Sequence, residues 1–365
     1  MRKYFSFILL WVGLFSCRQE KMTSHSDGSL LDIDDNTEFG VIENTKLSSV
    51  FKNSRIVELE TNENSLIGGR GNKVMKYKSR FYVLSHNTIL IFDNNGEFIG
   101  KLNHIGNGPE DYPAIYDYDV LKDELWIGTA NGIMIYDIVS LGFKRKIPIE
   151  GFVNQFEYVN DTTLIIRSPE DMMFKICDQR GKVRKRFIEK DLPNDIQEFH
   201  QFCRIGDKTI YHLASTQSGV VYDSQSDSMY YQNILFGDRL LTPQINRDYY
   251  EKYGYMEQFQ KASEDYIRLS TIRQLKDNIL LTKIYPNKTH ELFLISQDKQ
   301  IRFCYAGSDV SIENDIVLTN AGMSFLTSIT CCESEDSFLF LIGPETLEMD
   351  NILEDSNPCI LEVFP

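Results

Sequence analysis

Phe81-Tyr82-Val83-Leu84, Ile89-Leu90-Ile91-Phe92, Asp93-Asn94-Asn95-Gly96 and Glu97-Phe98-Ile99 follow one another along one short stretch of the chain. Short apolar-aromatic runs separated by Asn, Asp and Gly predict strand, turn, strand, turn, strand. The runs suit a pleated, buried surface, and the separators tolerate the backbone angles of tight turns. The phrase returns as Leu125-Trp126-Ile127-Gly128 with Ile133-Met134-Ile135-Tyr136 and Asp137. It returns again as Leu164-Ile165-Ile166 with Phe174-Lys175-Ile176-Cys177 and Asp178-Gln179-Arg180-Gly181. A fourth copy is Ile210-Tyr211-His212-Leu213 with Gly219-Val220-Val221-Tyr222 and Asp223. Asp93, Asp137, Asp178 and Asp223 are therefore spaced by 44, 41 and 45 residues. A period of about 40–50 residues with four strands in each marks the blades of a β-propeller. A pair of β-sandwiches, the competing all-β architecture, does not account for so regular a spacing.

Working outward, Ile279-Leu280-Leu281-Thr282 with Leu292-Phe293-Leu294-Ile295 supplies a fifth copy. Phe325-Leu326-Thr327-Ser328, Phe338-Leu339-Phe340-Leu341 and Ile360-Leu361-Glu362-Val363 supply a sixth. Ser54-Arg55-Ile56-Val57-Glu58-Leu59 is an early strand without a repeat of its own. A ring must hide its open edges, and pairing this strand with the last blade does so. Between copies four and five, residues 236–270 carry apolar side chains at intervals of three and four, which predicts a helix with Asn246 as its N-cap and Gly254 weakening its middle. The predicted fold is thus all-β: a six-bladed β-propeller of four-stranded blades within residues 29–365, with one helical insertion between blades four and five.

Composition agrees. Ala occurs only at positions 114, 130, 214, 262, 306 and 321, against 23 Phe and 19 Tyr, which disfavours a helix-rich fold. The net charge of −15 argues against nucleic acid, whose phosphates need a basic footprint. At the N-terminus, Arg2 and Lys3 precede an apolar stretch from Tyr4 to Phe15, and then Ser16 and Cys17. A basic start, a short apolar segment and a small residue before the cut describe a secretory signal over residues 1–16, too short to remain as a permanent span. Residues 17–28 are polar and patternless and read as a flexible tether.

Leu14-Phe15-Ser16-Cys17 resembles the lipobox of bacterial lipoproteins, in which the cysteine is acylated and becomes the mature N-terminus. Further on, Ile91 to Ile99 together with Gly106-Asn107-Gly108-Pro109-Glu110-Asp111-Tyr112 resembles the six-bladed β-propeller lipoproteins of Gram-negative bacteria, relatives of NHL-repeat propellers. Members carry a Gly-x-Gly-Pro-Gly-Glu-Tyr loop, and here Glu110-Asp111 stands where Gly-Glu is usual. The resemblance implies a cell-envelope, outer-membrane protein held to the lipid bilayer through acylated Cys17. Loss of Arg2 and Lys3 leaves the mature chain more acidic still, so the acyl chains rather than net charge would hold it to the membrane.

Recognised chemistry is thin. The six histidines form no His-x-x-x-His pair, there is no Gly-x-Ser-x-Gly elbow, and no Cys-x-x-Cys occurs. No catalytic residue, cofactor or metal site is therefore assigned. Gly106 to Asp111 lacks the lysine and following helix of a phosphate loop. It reads first as an ordered crossover between blades, although Glu110 and Asp111 with Asp117 and Asp119 offer oxygens for a hard cation. Glu110, Asp111, Tyr112, Tyr249, Tyr250 and Tyr253 are the candidates for a ligand-presenting face; Tyr249, Tyr250 and Tyr253 can stack on sugar faces, with packing against the propeller the preferred reading of their helix. Cys177, Cys203, Cys304, Cys331, Cys332 and Cys359 permit 15 disulfide pairings outside the cytoplasm, but they sit largely in apolar runs and read first as buried thiols. The function expected is non-catalytic binding of a glycan, peptide or envelope protein. A polysaccharide hydrolase or lyase, or a structural subunit of an envelope complex, are the alternatives. A cluster of charged side chains from at least three blades at the channel mouth would favour the enzyme.

Overall fold

A computed structural model describes residues 19–21, 23–24, 28–31, 51, 53–68, 73–168, 173–188, 202–213, 216–235, 237, 239–286, 290–296, 301–305, 310–311, 317–318, 329–332, 337–342 and 356–364. The signal segment, Cys17 and the strand expected at residues 325–328 lie outside them. Six antiparallel sheets follow in chain order, built on residues 74–102, 117–148, 155–188, 202–233, 268–305 and 329–364. They are blades one to six of a propeller, each with its first strand innermost. In the sixth blade Ile329–Cys332, Ser337–Ile342 and Cys359–Phe364 are joined by Asn53–Glu58, so an N-terminal strand closes the ring as the early strand predicted.

The middle strands show why the sequence runs were continuously apolar. Glu124–Thr129, Thr163–Ser168 and Ser337–Ile342 are buried at every residue, because each blade is covered by a neighbour on both faces. Alternation then assigns side chains to two cores. In Arg80–Ser85, Tyr82 and Leu84 pack between blades one and two, whereas Phe81 and Val83 pack between blades six and one. Trp126, Ile133 and Phe156 fill the space between blades two and three, and Phe174, Phe187 and Tyr211 that between three and four. Each fully buried aromatic or aliphatic side chain contributes about 1.5–3 kcal/mol.

The periodic aspartates have one shared task. The Oδ1 atom of Asp93 accepts from the backbone N–H groups of Asn95 and Glu97, and that of Asp178 from Arg180 and Lys182. Asp137 accepts from Val139 and Ser140, and Asp223 from Gln225 and Ser226. Each holds the turn between the third and outermost strand of its blade, which is why the residue repeats with the blade.

Two expectations are corrected. The inserted helix, Pro243–Asp265, begins earlier than Asn246: Thr242 is the N-cap, its hydroxyl accepting from Ile245 N–H at 3.1 Å, and Pro243 follows it. Asn246 is instead buried within the first turns, and Gly254, at φ +76°, breaks the helix into two. The segment read as a flexible tether is paired over part of its length. Gln19–Lys21 runs parallel to Arg186–Ile188 on the outer edge of blade three, and Thr23–Ser24 runs parallel to Tyr230–Tyr231 on blade four. Beyond them, the N–H groups of Leu30 and Leu31 donate to Asn233 and Ile234 carbonyls at 2.9 Å. Outer strands carry a row of unused backbone groups, and an extended polar segment satisfies them without needing a core of its own.

Candidate functional site

The loop from Gly106 to Tyr112 is a packed crossover. The Asp111 carboxylate accepts from Gly108 N–H at 3.1 Å and lies so close that a Cβ at Gly106 or Gly108 would meet its Oδ2 atom at 2.5 or 2.7 Å. Glu110 is exposed, and its backbone carbonyl accepts from the Tyr136 hydroxyl at 2.7 Å. Tyr112 has no exposed surface; its hydroxyl donates to Leu102 O, and burial pushes it up to about 12. Tyr112 is therefore a core residue, not a ligand platform. The candidate cation set is not assembled either: Asp117 is engaged by Lys73, and among the described residues no three His, Cys, Asp or Glu side chains are grouped to hold a metal.

Tyr249, Tyr250 and Tyr253 are half-buried along the helix. Tyr249 and Tyr253 lie 5.5 Å apart between ring centroids, Tyr266 meets Tyr249 edge-on at 6.0 Å, and the Tyr249 hydroxyl donates to Asp265 at 2.5 Å. This arrangement ties the two ends of the broken helix together. It leaves Tyr250 outside the ring cluster, so the three tyrosines do not form one platform.

Charge converges elsewhere, on the innermost strands that surround the central channel. Lys73, immediately before the first strand of blade one, donates to Asp117 Oδ1 at 3.0 Å and to the Tyr118 carbonyl, with its ammonium 4.8 Å from the Tyr118 ring. Asp117 also accepts from the backbone N–H of Phe156 at 3.1 Å, so one carboxylate joins blades one, two and three. Deeper along the same strands stand Asp119 in blade two, Glu157 in blade three and Arg204 in blade four. Arg204 Nε donates to Glu157 Oε1 at 3.1 Å, and the same guanidinium donates to the Tyr158 carbonyl.

Burial is the largest influence on both channel carboxyls, and it raises them. Glu157 is pushed up to about 7; Arg204 opposes the rise and the neighbouring Asp119 adds to it. Asp119 is also raised, with Lys73 opposing. The Glu157 side chain is 21% exposed and that of Arg204 41%, so both groups remain within reach of solvent. Such an arrangement can donate or accept hydrogen bonds near neutrality, present a cation beside them, and exchange a proton with a bound molecule. Nothing in the local sequence marked these residues, since Glu157 and Arg204 are 47 residues apart. Aligning the polar positions of the first strand in each repeat would have found them.

The buried His212 and the half-buried Glu157 give the protein opposing pH slopes. His212 is 3% exposed, and burial lowers it to about 4. The unfolded chain therefore binds a proton that the folded chain refuses, and stability falls as pH drops from about 6.5 to 4, by up to about 3 kcal/mol. Glu157 acts in reverse: the folded state holds its proton longer, so stability falls as pH rises from about 4.5 to 7. Denaturant titrations across this range should show His212→Gln losing stability on acidification less steeply than wild type. Glu157→Gln should gain on wild type as pH rises toward 7. Parallel pH profiles for wild type and both variants would contradict these assignments.

A protein-family model described as a domain of unknown function, DUF4934, matches residues 30–363. The chain belongs to that family. No curated protein matches this DUF4934 chain. Among solved structures, a Bacteroides fragilis protein provisionally named as exported is similar at a TM-score of 0.66 and 12% identity, covering 94% of this chain and 98% of its own. A member of the DUF4221 family from Bacteroides vulgatus is similar at a TM-score of 0.55 and 12% identity, covering 86% and 96%. At these identities the likeness is one of fold. No helix among the described residues is long and apolar enough to cross a membrane.

Proposed function

We propose that this DUF4934 protein is an extracytoplasmic lipoprotein, anchored in the outer membrane through acylated Cys17, whose propeller binds a polar ligand in its charged channel. The observation that carries the binding role is the convergence of Lys73, Asp119, Glu157 and Arg204 from four consecutive blades. A carboxyl raised to about 7 at Glu157, a second carboxylate at Asp119 and the Arg204 guanidinium suit a ligand that brings both donors and acceptors, such as a glycan end or a short peptide. The leader from Arg2 to Cys17 and the name of the Bacteroides fragilis relative support export. Titration of glycan and peptide libraries by calorimetry tests the reading. A ligand whose affinity falls at least tenfold in both Asp119→Asn and Arg204→Gln is expected. A library that stays blank, or ligands indifferent to both variants, would overturn it.

The raised Glu157 beside Asp119 also favours a second reading, a polysaccharide hydrolase or lyase in which Glu157 gives a proton to the leaving oxygen. Release of reducing ends from an envelope or host glycan, abolished in Glu157→Gln while binding persists, would select that reading over the first.

A further inference from the structure

The acidity of the chain is unevenly laid out. The outermost strand of blade two, Phe143–Pro148, contains Lys144, Arg145 and Lys146 in succession. The fourth strand of blade three, Val183–Ile188, edged by Gln19–Lys21, contains Arg184, Lys185 and Arg186 at the matching place in the repeat. By contrast, the outer strand of blade one holds a single lysine, and that of blade four, Ser228–Asn233, holds no cation. Lys144 and Arg145 both meet Glu124, Arg184 and Lys185 share Asp227, and Arg186 meets Glu150. With Glu20 and Lys21 of the added strand counted, seven cations stand against Glu20, Glu124, Glu150 and Asp227, an excess of three positive charges. The side chains stay open to solvent, at 40% and 45% for Lys144 and Arg145 and 36% and 29% for Arg184 and Arg186.

The first described strand lies on the same side of the ring. Gln19 pairs with Arg186, Glu20 with Phe187 and Lys21 with Ile188, so the N-terminal segment lies on this same edge. Only Arg18 separates that pairing from Cys17. We propose that the basic rim of blades two and three docks against anionic phospholipid headgroups, seating the propeller edge-on upon the membrane. This inference rests on the acylated Cys17 proposed above, which would hold the edge of blade three close to the bilayer. Charge complementarity then fixes the seating. Screening over about 8 Å makes the near edge count and the distant acidic surface matter little, so an acidic protein can still dock through one basic side. With the rim down, the channel axis lies along the membrane plane, and both faces of the disc stay open to ligands.

The test uses the full chain, processed in its own cells, extracted in detergent and reconstituted on vesicles carrying a headgroup-level fluorescence quencher. One dye is placed at Val139→Cys, on the exposed turn leading into Lys144, and another at Asn53→Cys, in the closing strand of blade six across the ring. The native thiols Cys177, Cys203 and Cys359 are buried. On vesicles with 30% phosphatidylglycerol, quenching at Val139→Cys at least fivefold greater than at Asn53→Cys is expected. Half a molar salt, neutral phosphatidylcholine, or Lys146→Glu/Arg184→Glu/Arg186→Glu should erase most of that difference. Mass analysis of the same preparation reports the lipid on Cys17 separately. An unacylated protein that keeps the quenching pattern removes the anchor and retains the rim. An acylated protein quenched equally at both dyes, or equally on neutral and anionic vesicles, overturns the rim. Shielding of the Val139→Cys dye by a soluble acidic polysaccharide, with none by anionic vesicles, would overturn it too and assign the patch to glycans.

Discussion

Glu362→Gln is expected to lower the free energy of unfolding by about 3–5 kcal/mol, the loss that follows when one partner of a buried ionic network is neutralised. Glu362 has no exposed surface. Its carboxylate accepts from Lys76 Nζ at 2.9 and 3.0 Å, from Arg55 Nε at 2.8 Å and from Ser337 Oγ at 2.7 Å. Arg55 belongs to the closing strand and Lys76 to blade one, so a single carboxylate pins both sides of the seam. Glutamine keeps the shape but leaves the buried Lys76 charge without a counter-charge on that residue. Equilibrium unfolding in urea should show the loss. A Lys76→Met/Glu362→Leu double variant should recover part of it, because removing a buried pair together costs less than splitting it. A single variant as stable as wild type would show that the seam is held by backbone pairing and apolar packing alone.

Gly96→Ala should be the next most damaging change, at about 2–4 kcal/mol. Gly96 has φ +89°, a conformation that costs an alanine about 1–2 kcal/mol. A Cβ there would also stand 1.9 Å from the Glu58 carbonyl oxygen, and overpacking of this kind typically adds about 1–3 kcal/mol. The obstacle is main chain at the end of the closing strand, where Glu60 N–H also donates to Gly96 O at 2.8 Å. Gly206 provides the comparison: it has φ +62° and nothing within 4 Å of its Cβ position, so Gly206→Ala should cost only the conformational part. Thermal melts of the two variants separate the contributions. Equal melting temperatures would mean that the strand end yields to the extra methyl.

The propeller was legible because its blades repeat a physical task along with a sequence. Asp93, Asp137, Asp178 and Asp223 all hold the same turn, and residues such as Phe81 and Tyr82 must be apolar on both faces of a strand covered from two sides. The loop around Gly106 also followed the simpler reading, since Asp111 is spent on closing it. What stayed hidden is of a different kind. Glu157 and Arg204 are single polar residues, each in a separate repeat, and they join Asp119 only when the ring forms. Tyr112 looked available because aromatic residues serve cores and ligands alike, and its surroundings decided for the core. For the helix, Thr242-Pro243 was the better start signal than Asn246, an N-cap hydroxyl followed by a residue that needs no N–H partner.

The seam between Arg55 and Glu362 spans 307 residues of sequence. A polypeptide emerging from its N-terminal side would present the Arg55 strand first and its partner 307 residues later. Until then the earliest blade would keep an uncovered flank, and every nascent form short of that partner would be an open arc. Ring closure thereby waits on the sixth blade: a product lacking the Glu362 strand would be without the latch and be left to the quality-control proteases, whatever the merits of its finished sheets.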